Sequence, residues 1–95
     1  MIIYVDIDGT ICDSTQGYDK ALPWNKSIFK INKLYDKGNT IIYWTARGKS
    51  SGIDHTKLTQ QQLTDWGCKY HELIMNQKPS YDLLICDKAK RIEEI

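Results

Sequence analysis

The chain has 95 residues, 41% of them hydrophobic and 26% charged, with a formal net charge of +1, the make-up of one ordinary soluble globular domain spanning residues 1–95. So small a charge exerts no overall pull toward nucleic acid or an anionic membrane, and any polyanion must be recognised locally. No apolar run approaches the roughly 20 residues that a membrane helix needs; Met1 leads directly into an apolar strand with no basic leader, so a cytoplasmic protein is expected.

The first element is an apolar strand from Ile2 that ends in Asp6-Ile7-Asp8-Gly9-Thr10. Side chains two apart on a strand lie on one side, so Asp6 and Asp8 are expected to face the same small volume. Two carboxylates so close stay ionised when a cation sits between them, which suggests a magnesium site. Asp-Gly is also a common turn dipeptide, and this stretch alone leaves the two readings even.

From Ile11 to Pro23 periodicity is lost, and a loop or short flap over the strand's end is expected, with Tyr18, Asp19 and Lys20 as its specificity candidates. Asn25 is the expected N-cap of a helix with Ile28, Ile31, Leu34 and Tyr35 on its apolar face and Gly38 as its stop. Trp24 at the helix entrance suits a staple against the first turn or a platform for substrate.

Thr40 to Thr45 is a second apolar strand, followed by Ala46-Arg47-Gly48. Its unbroken apolar character, like that of the first, fits strands buried on both faces of a parallel sheet. Asp54 or Thr56 starts a second helix carrying Leu58, Leu63 and Trp66, which stops at Gly67. Tyr70–Met75 is a short third strand, Asn76–Ser80 a turn-rich connection, Leu83–Cys86 a fourth strand ending at Asp87, and Lys88–Ile95 a final helix. Three scattered cysteines, Cys12, Cys68 and Cys86, argue against a disulfide framework and read as reduced thiols.

This order predicts an α/β fold, a Rossmann-like three-layer sandwich with a small, mainly parallel sheet. In such sheets the active crevice lies beyond the carboxyl ends of the strands, where Asp6, Thr45 and Asp87 all fall. Together with Lys78 they suit a phosphate and its metal. Asp6 can attack phosphorus, magnesium held by Asp6 and Asp87 offsets repulsion between carboxylate and phosphate, Thr45 Oγ1 and the Ala46 N–H donate to a phosphate oxygen, and Lys78 is a compact charge for nucleophile and phosphate. Asp82 and Asp87 would stand roughly 16 Å apart on an extended strand at about 3.3 Å per residue, so only Asp87 is assigned to the metal.

Asp6-Ile7-Asp8-Gly9-Thr10, Thr45, Lys78 and Asp87, in that order, resemble the four motifs of the haloacid dehalogenase superfamily, mostly magnesium-dependent phosphatases. The resemblance implies that Asp6 is the nucleophile forming an aspartyl-phosphate, that Asp8 is the general acid and base, and that the Asp8 backbone carbonyl is a further magnesium ligand. It departs from the family at Cys86, where an acidic residue or glycine commonly precedes the metal aspartate. Neither gap that carries a cap domain in the family is long enough for one here, so a capless member is expected. Such open sites accept large substrates or are covered by oligomerisation, and a homo-oligomer stays open on this reading.

Arg47 fits a second substrate anion or a solvated loop equally well, and His55 and His71 read as surface or satisfied core histidines. The expected activity is hydrolysis of a small phosphorylated metabolite such as a sugar phosphate. Nucleic-acid end processing of the polynucleotide 3′-phosphatase kind stands second, because basic residues are dispersed and most Trp and Tyr positions favour the core rather than a stacking platform. A non-catalytic phosphate-binding module stands third.

Overall fold

A computed structural model describes residues 1–49 and 51–75 together with the backbone of 83–85. The chain runs β1 (Ile2–Asp6), β2 (Cys12–Asp13), a 3-10 turn (Tyr18–Lys20), β3 (Leu22–Pro23), α1 (Asn25–Asp36), β4 (Thr40–Thr45), α2 (Thr56–Asp65), β5 (Glu72–Met75) and β6 (Leu83–Ile85). The four longer strands form a sheet in the order β5-β4-β1-β6, with every pairing parallel. This is the α/β architecture that the alternation of apolar strands and amphipathic helices predicts. Cys86, the preceding Asp82 and the expected final helix lie outside the described residues.

Register sets where the site falls. Asp6 of β1 pairs with Trp44 of β4, and Thr45 of β4 with Met75 of β5, so parallel strands deliver all these termini to one edge. Beneath it, Ile3, Val5, Ile41 and Tyr43 from the strands join Ile28 and Ile31 of α1 and Leu63 of α2 in the core. At about 25 cal/mol per Å² of apolar surface removed from water, each such side chain contributes roughly 1.5–3 kcal/mol to folding. The α1 stripe of Ile28, Ile31, Leu34 and Tyr35 faces this core as its spacing predicts. Asn32 binds the turn after α2 by donating to the Gly67 carbonyl at 2.9 Å and accepting from the Lys69 N–H at 2.8 Å.

Two local expectations change, at the start of α1 and in the flap, and the start of α2 is as expected. Asn25 is the first residue inside α1, and Trp24 occupies the cap position without a side-chain hydrogen bond. The α2 start combines both expected residues: Thr56 opens the helix, and its N–H and hydroxyl donate to Asp54 Oδ1 at 2.9 and 2.6 Å. The flap between Ile11 and Pro23 is a two-stranded ribbon, with Cys12 paired antiparallel to Pro23 and Asp13 to Leu22. Two-residue strands carry no periodicity to read. Among the described residues, no helix is long and apolar enough to cross a membrane.

Candidate active site

The end of β1 turns sharply: the N–H groups of Thr10 and Ile11 both donate to the Ile7 carbonyl, at 3.2 and 3.0 Å. Ile7 is buried in this turn while Asp6 and Asp8 on either side stay partly open, which keeps both carboxylates at the functional edge. Asp6 Oδ1 accepts the Ile7 N–H at 2.8 Å. Thr45 is buried at the end of β4, and its hydroxyl lies 3.4 Å from Asp8 Oδ2 while accepting the Arg47 N–H at 3.2 Å. Ala46 is exposed beside it. The structure thus brings Asp6, Asp8, Thr45 and Ala46 to one edge; Lys78 and Asp87 lie outside the described residues.

Arg47 departs from both sequence expectations. It is only 1% exposed, and its guanidinium turns inward onto Asp8 rather than out toward solvent or a second anion. Nε donates to Asp8 Oδ1 and Oδ2 at 3.2 and 3.0 Å, and Nη2 to Oδ1 at 2.8 Å. Nη1 donates to Thr59 Oγ1 at 3.2 Å and to Gln62 Oε1 at 2.6 Å, both buried on α2. The Tyr18 ring lies 4.9 Å from the guanidinium carbon. A buried guanidinium needs a partner for each face of its fork, and this arrangement supplies them. The Asp8 carboxylate thus has a buried guanidinium as its counter-ion.

Cys12 packs against the same carboxylate, with Sγ 3.6 Å from Asp8 Oδ1. Burial, and then the nearby Asp8 charge, push its thiol up to about 12, so it stays protonated and unreactive at neutral pH. An open cleft of about 360 Å³ adjoins the turn, lined by Gly9, Cys12, Asp13, Ser14, Thr15 and Trp24. Trp24 is 42% exposed on its rim; it is a cleft wall and not the buried staple that its place in the sequence also allowed. The two histidines are structural: His55 meets the Tyr18 ring edge-on, and His71 stacks on Tyr35 while its Nδ1 accepts the Ile41 N–H at 3.1 Å.

No family model matches the chain, and no curated protein matches it. Solved structures do. A structural-genomics target from Vibrio cholerae superposes with a TM-score of 0.79 at 24% identity, over 98% of this chain and 85% of that one. A chain of a Pnkp1/Rnl/Hen1 complex gives 0.66 at 18% identity, over 84% of this chain and 29% of its own length. D,D-heptose 1,7-bisphosphate phosphatase from Burkholderia thailandensis gives 0.65 at 15% identity, over 90% and 65%. Its counterpart from B. bronchiseptica, complexed with magnesium and phosphate, gives 0.57 at 21%, over 85% and 52%. The chain shares its fold with these two heptose bisphosphate phosphatases and with the chain of the Pnkp1/Rnl/Hen1 complex.

The Asp6 carboxylate at the end of β1 and the Asp8 backbone carbonyl in the turn after it are hard oxygens of the kind magnesium prefers. Among the described residues no three His, Cys, Asp or Glu side chains converge as a metal set, and the third expected ligand, Asp87, falls outside them. Thr59 and Gln62 escaped the sequence reading altogether. Their signal lies in α2, where Thr59, Gln62 and Leu63 at helical spacing form the buried face: polar residues on a core stripe mark a buried polar partner.

Proposed function

We propose that the chain is a phosphomonoester hydrolase acting through an aspartyl-phosphate on Asp6, with magnesium as its cation and a small phosphorylated metabolite, sugar phosphates first, as its substrate. The observation that carries this reading is the gathering of Asp6, Asp8 and Thr45 at the carboxyl edge of two adjacent parallel strands on the fold shared with the heptose bisphosphate phosphatases. An Asp6 oxygen attacks phosphorus while the bond to the leaving oxygen breaks, and Asp8 gives that oxygen its proton. Water then attacks the phosphorus, Asp8 takes a proton from it, and Asp6 is released as carboxylate together with inorganic phosphate. Thr45 Oγ1 and the Ala46 N–H serve as donors to a phosphate oxygen, and Lys78 as the charge that holds nucleophile and phosphate. Asp6, the Asp8 carbonyl and Asp87 would hold magnesium, which supplies positive charge against the phosphate dianion. The cleft beside Gly9 gives the leaving group a place, with the Trp24 indole as an apolar wall and Asp13 and Ser14 as polar ones.

Hydrolysis of p-nitrophenyl phosphate with and without magnesium, by the parent and by Asp6→Asn, tests the core of this reading. Turnover that requires both the metal and Asp6 is expected. An Asp6→Asn variant as active as its parent overturns the covalent mechanism, and no hydrolysis by the parent leaves the phosphate-binding module.

One observation favours a second reading, nucleic-acid end processing. Trp24 and Phe29 are both exposed, Phe29 by 60%, although the other described Trp and Tyr side chains are buried or half-buried, as expected of most of them. Phe29 shares a groove of about 590 Å³ with Asn25, Lys26, Lys30 and Lys33, a pairing of aromatic and basic groups that suits single strands. A panel of sugar phosphates against 3′-phosphorylated oligonucleotides at fixed moderate salt separates the two. We expect higher kcat/KM on the sugar phosphates; preference for the oligonucleotide, with steep salt dependence, reverses the order.

A further inference from the structure

Nothing in the four-motif pattern calls for a buried arginine two residues after Thr45, yet among the described residues Arg47 is the most heavily bonded side chain at the site. Resting on the phosphatase reading above, we infer that Arg47 is the positioning residue of the acid and base step: its fork fixes the Asp8 carboxylate, and Thr59 and Gln62 of α2 fix the fork.

Both Asp8 oxygens face the guanidinium, through Nε on one and Nε with Nη2 on the other. A side-on pair of this kind sets the carboxylate plane as well as its distance, which a lone ammonium cannot do. A quarter of the Asp8 side-chain surface stays open, against none for Arg47. The open part of Asp8 is what remains for a leaving oxygen or a water to meet. The far side of the fork is equally constrained. Thr59 Oγ1 donates to the His55 carbonyl at 2.8 Å, so its lone pairs are left for Nη1. Gln62 accepts from Nη1 through Oε1, and its Nε2 donates to the Tyr18 carbonyl. Gln62 therefore ties the flap backbone, the helix and the arginine into one chain of hydrogen bonds that ends on Asp8. One bond from Arg47 to Gln62 and one to Asp8 would already join α2 to the turn after β1. The extra bonds restrict orientation, and proton transfer is sensitive to orientation: a misplacement of about 1 Å can cost roughly 10²-fold in rate.

The test compares Arg47→Lys and Gln62→Met with the parent on p-nitrophenyl phosphate and on glycerol 2-phosphate, with magnesium present. Arg47→Lys keeps the charge and loses the fork; Gln62→Met keeps the bulk, loses one support of the fork, and leaves the Arg47 to Asp8 pair in place should the lysine variant fold poorly. Because p-nitrophenolate departs with little protonation, its first release should persist as a rapid burst followed by slow turnover, since water activation still needs Asp8. On glycerol 2-phosphate, whose leaving oxygen needs the proton, kcat should fall by about 10²-fold in Arg47→Lys and about 10-fold in Gln62→Met, with KM within about threefold of the parent. Equal losses on both substrates without a burst, or a lowered melting temperature with parental kinetics, would assign Arg47 to structure alone and overturn the inference. A loss confined to KM would make Arg47 a substrate-anion contact and overturn it too. A parent that hydrolyses neither substrate instead removes the phosphatase reading on which the inference rests.

Discussion

Gly48, next in sequence to Arg47, is where the loop after β4 tolerates no side chain. Its φ is 84°, and a Cβ built there would stand 2.0 Å from the Ile53 carbonyl oxygen, 3.2 Å from the Ile53 carbonyl carbon and 3.4 Å from His55 Cδ2. The oxygen belongs to the backbone and cannot rotate away, so Gly48→Ala must displace the segment leading into α2 by more than an ångström. Left-handed backbone with a side chain costs roughly 1–2 kcal/mol, and relieving the overlap adds about as much again, as overpacking does in general. A total near 3 kcal/mol would lower Tm by roughly 12–24 °C in a domain of this size. Gly52 provides the control in the same loop: its φ is 73° and no atom of the described residues lies within 4 Å of its added Cβ, so Gly52→Ala should show only the backbone cost, about 1 kcal/mol and roughly 4–8 °C. Thermal melts by circular dichroism of the two variants and the parent give the comparison. A Gly48→Ala melt within about 2 °C of Gly52→Ala would refute the argument that contact with Ile53, and not φ alone, demands glycine here.

Two further outcomes follow from the buried groups. Asp8→Ala leaves the Arg47 charge buried without its counter-ion and should destabilise the fold by roughly 3–5 kcal/mol in urea unfolding, whereas Asp8→Asn, which keeps an acceptor, should cost clearly less; equal losses would contradict the ion pair. Alkaline pH should weaken the fold, because burial pushes Cys12 up to about 12 and Cys68 up to about 11, and also raises Tyr43. These groups stay neutral in the folded chain and ionise first in the unfolded one, so their stabilisation is complete below about pH 9 and is lost as pH rises through the folded values, by about 1.4 kcal/mol per pH unit for each thiol. Urea midpoints should hold from pH 6 to about 8 and fall from about 9 upward, and Cys12→Ala should flatten the slope; a flat parental profile would contradict the burial of these groups.

Much of the fold was legible because it rests on local pattern. The apolar runs at Ile2–Asp6 and Thr40–Thr45 are strands, and the stripe from Ile28 to Tyr35 is a helix face. Asp6, Asp8 and Thr45 were legible for a related reason, since a parallel sheet sends the ends of its strands to one edge. Arg47 was not. Its surroundings come from Asp8, 39 positions back, and from Thr59 and Gln62, 12 and 15 positions ahead, and no local window relates those residues. Trp24 misled in the opposite sense: its place at the α1 entrance fits a buried staple, but pairing of the Trp24 N–H with the Ile11 carbonyl at 2.8 Å accompanies an indole on the cleft rim.

The hydrogen-bonded chain from Tyr18 through Gln62 and Arg47 to Asp8 also divides the protein into positions that can change alone and positions that cannot. Replacing Arg47 strands a carboxylate, replacing Asp8 strands a guanidinium, and replacing Gln62 loosens both the guanidinium and the flap, so single substitutions within the set pass through a poorer intermediate even where a double substitution would be sound. Trp24, Ser14 and Thr15 on the cleft wall make no side-chain bond to that set. A library aimed at new substrates has its freedom there, with Asp8, Arg47, Thr59 and Gln62 inherited as one block.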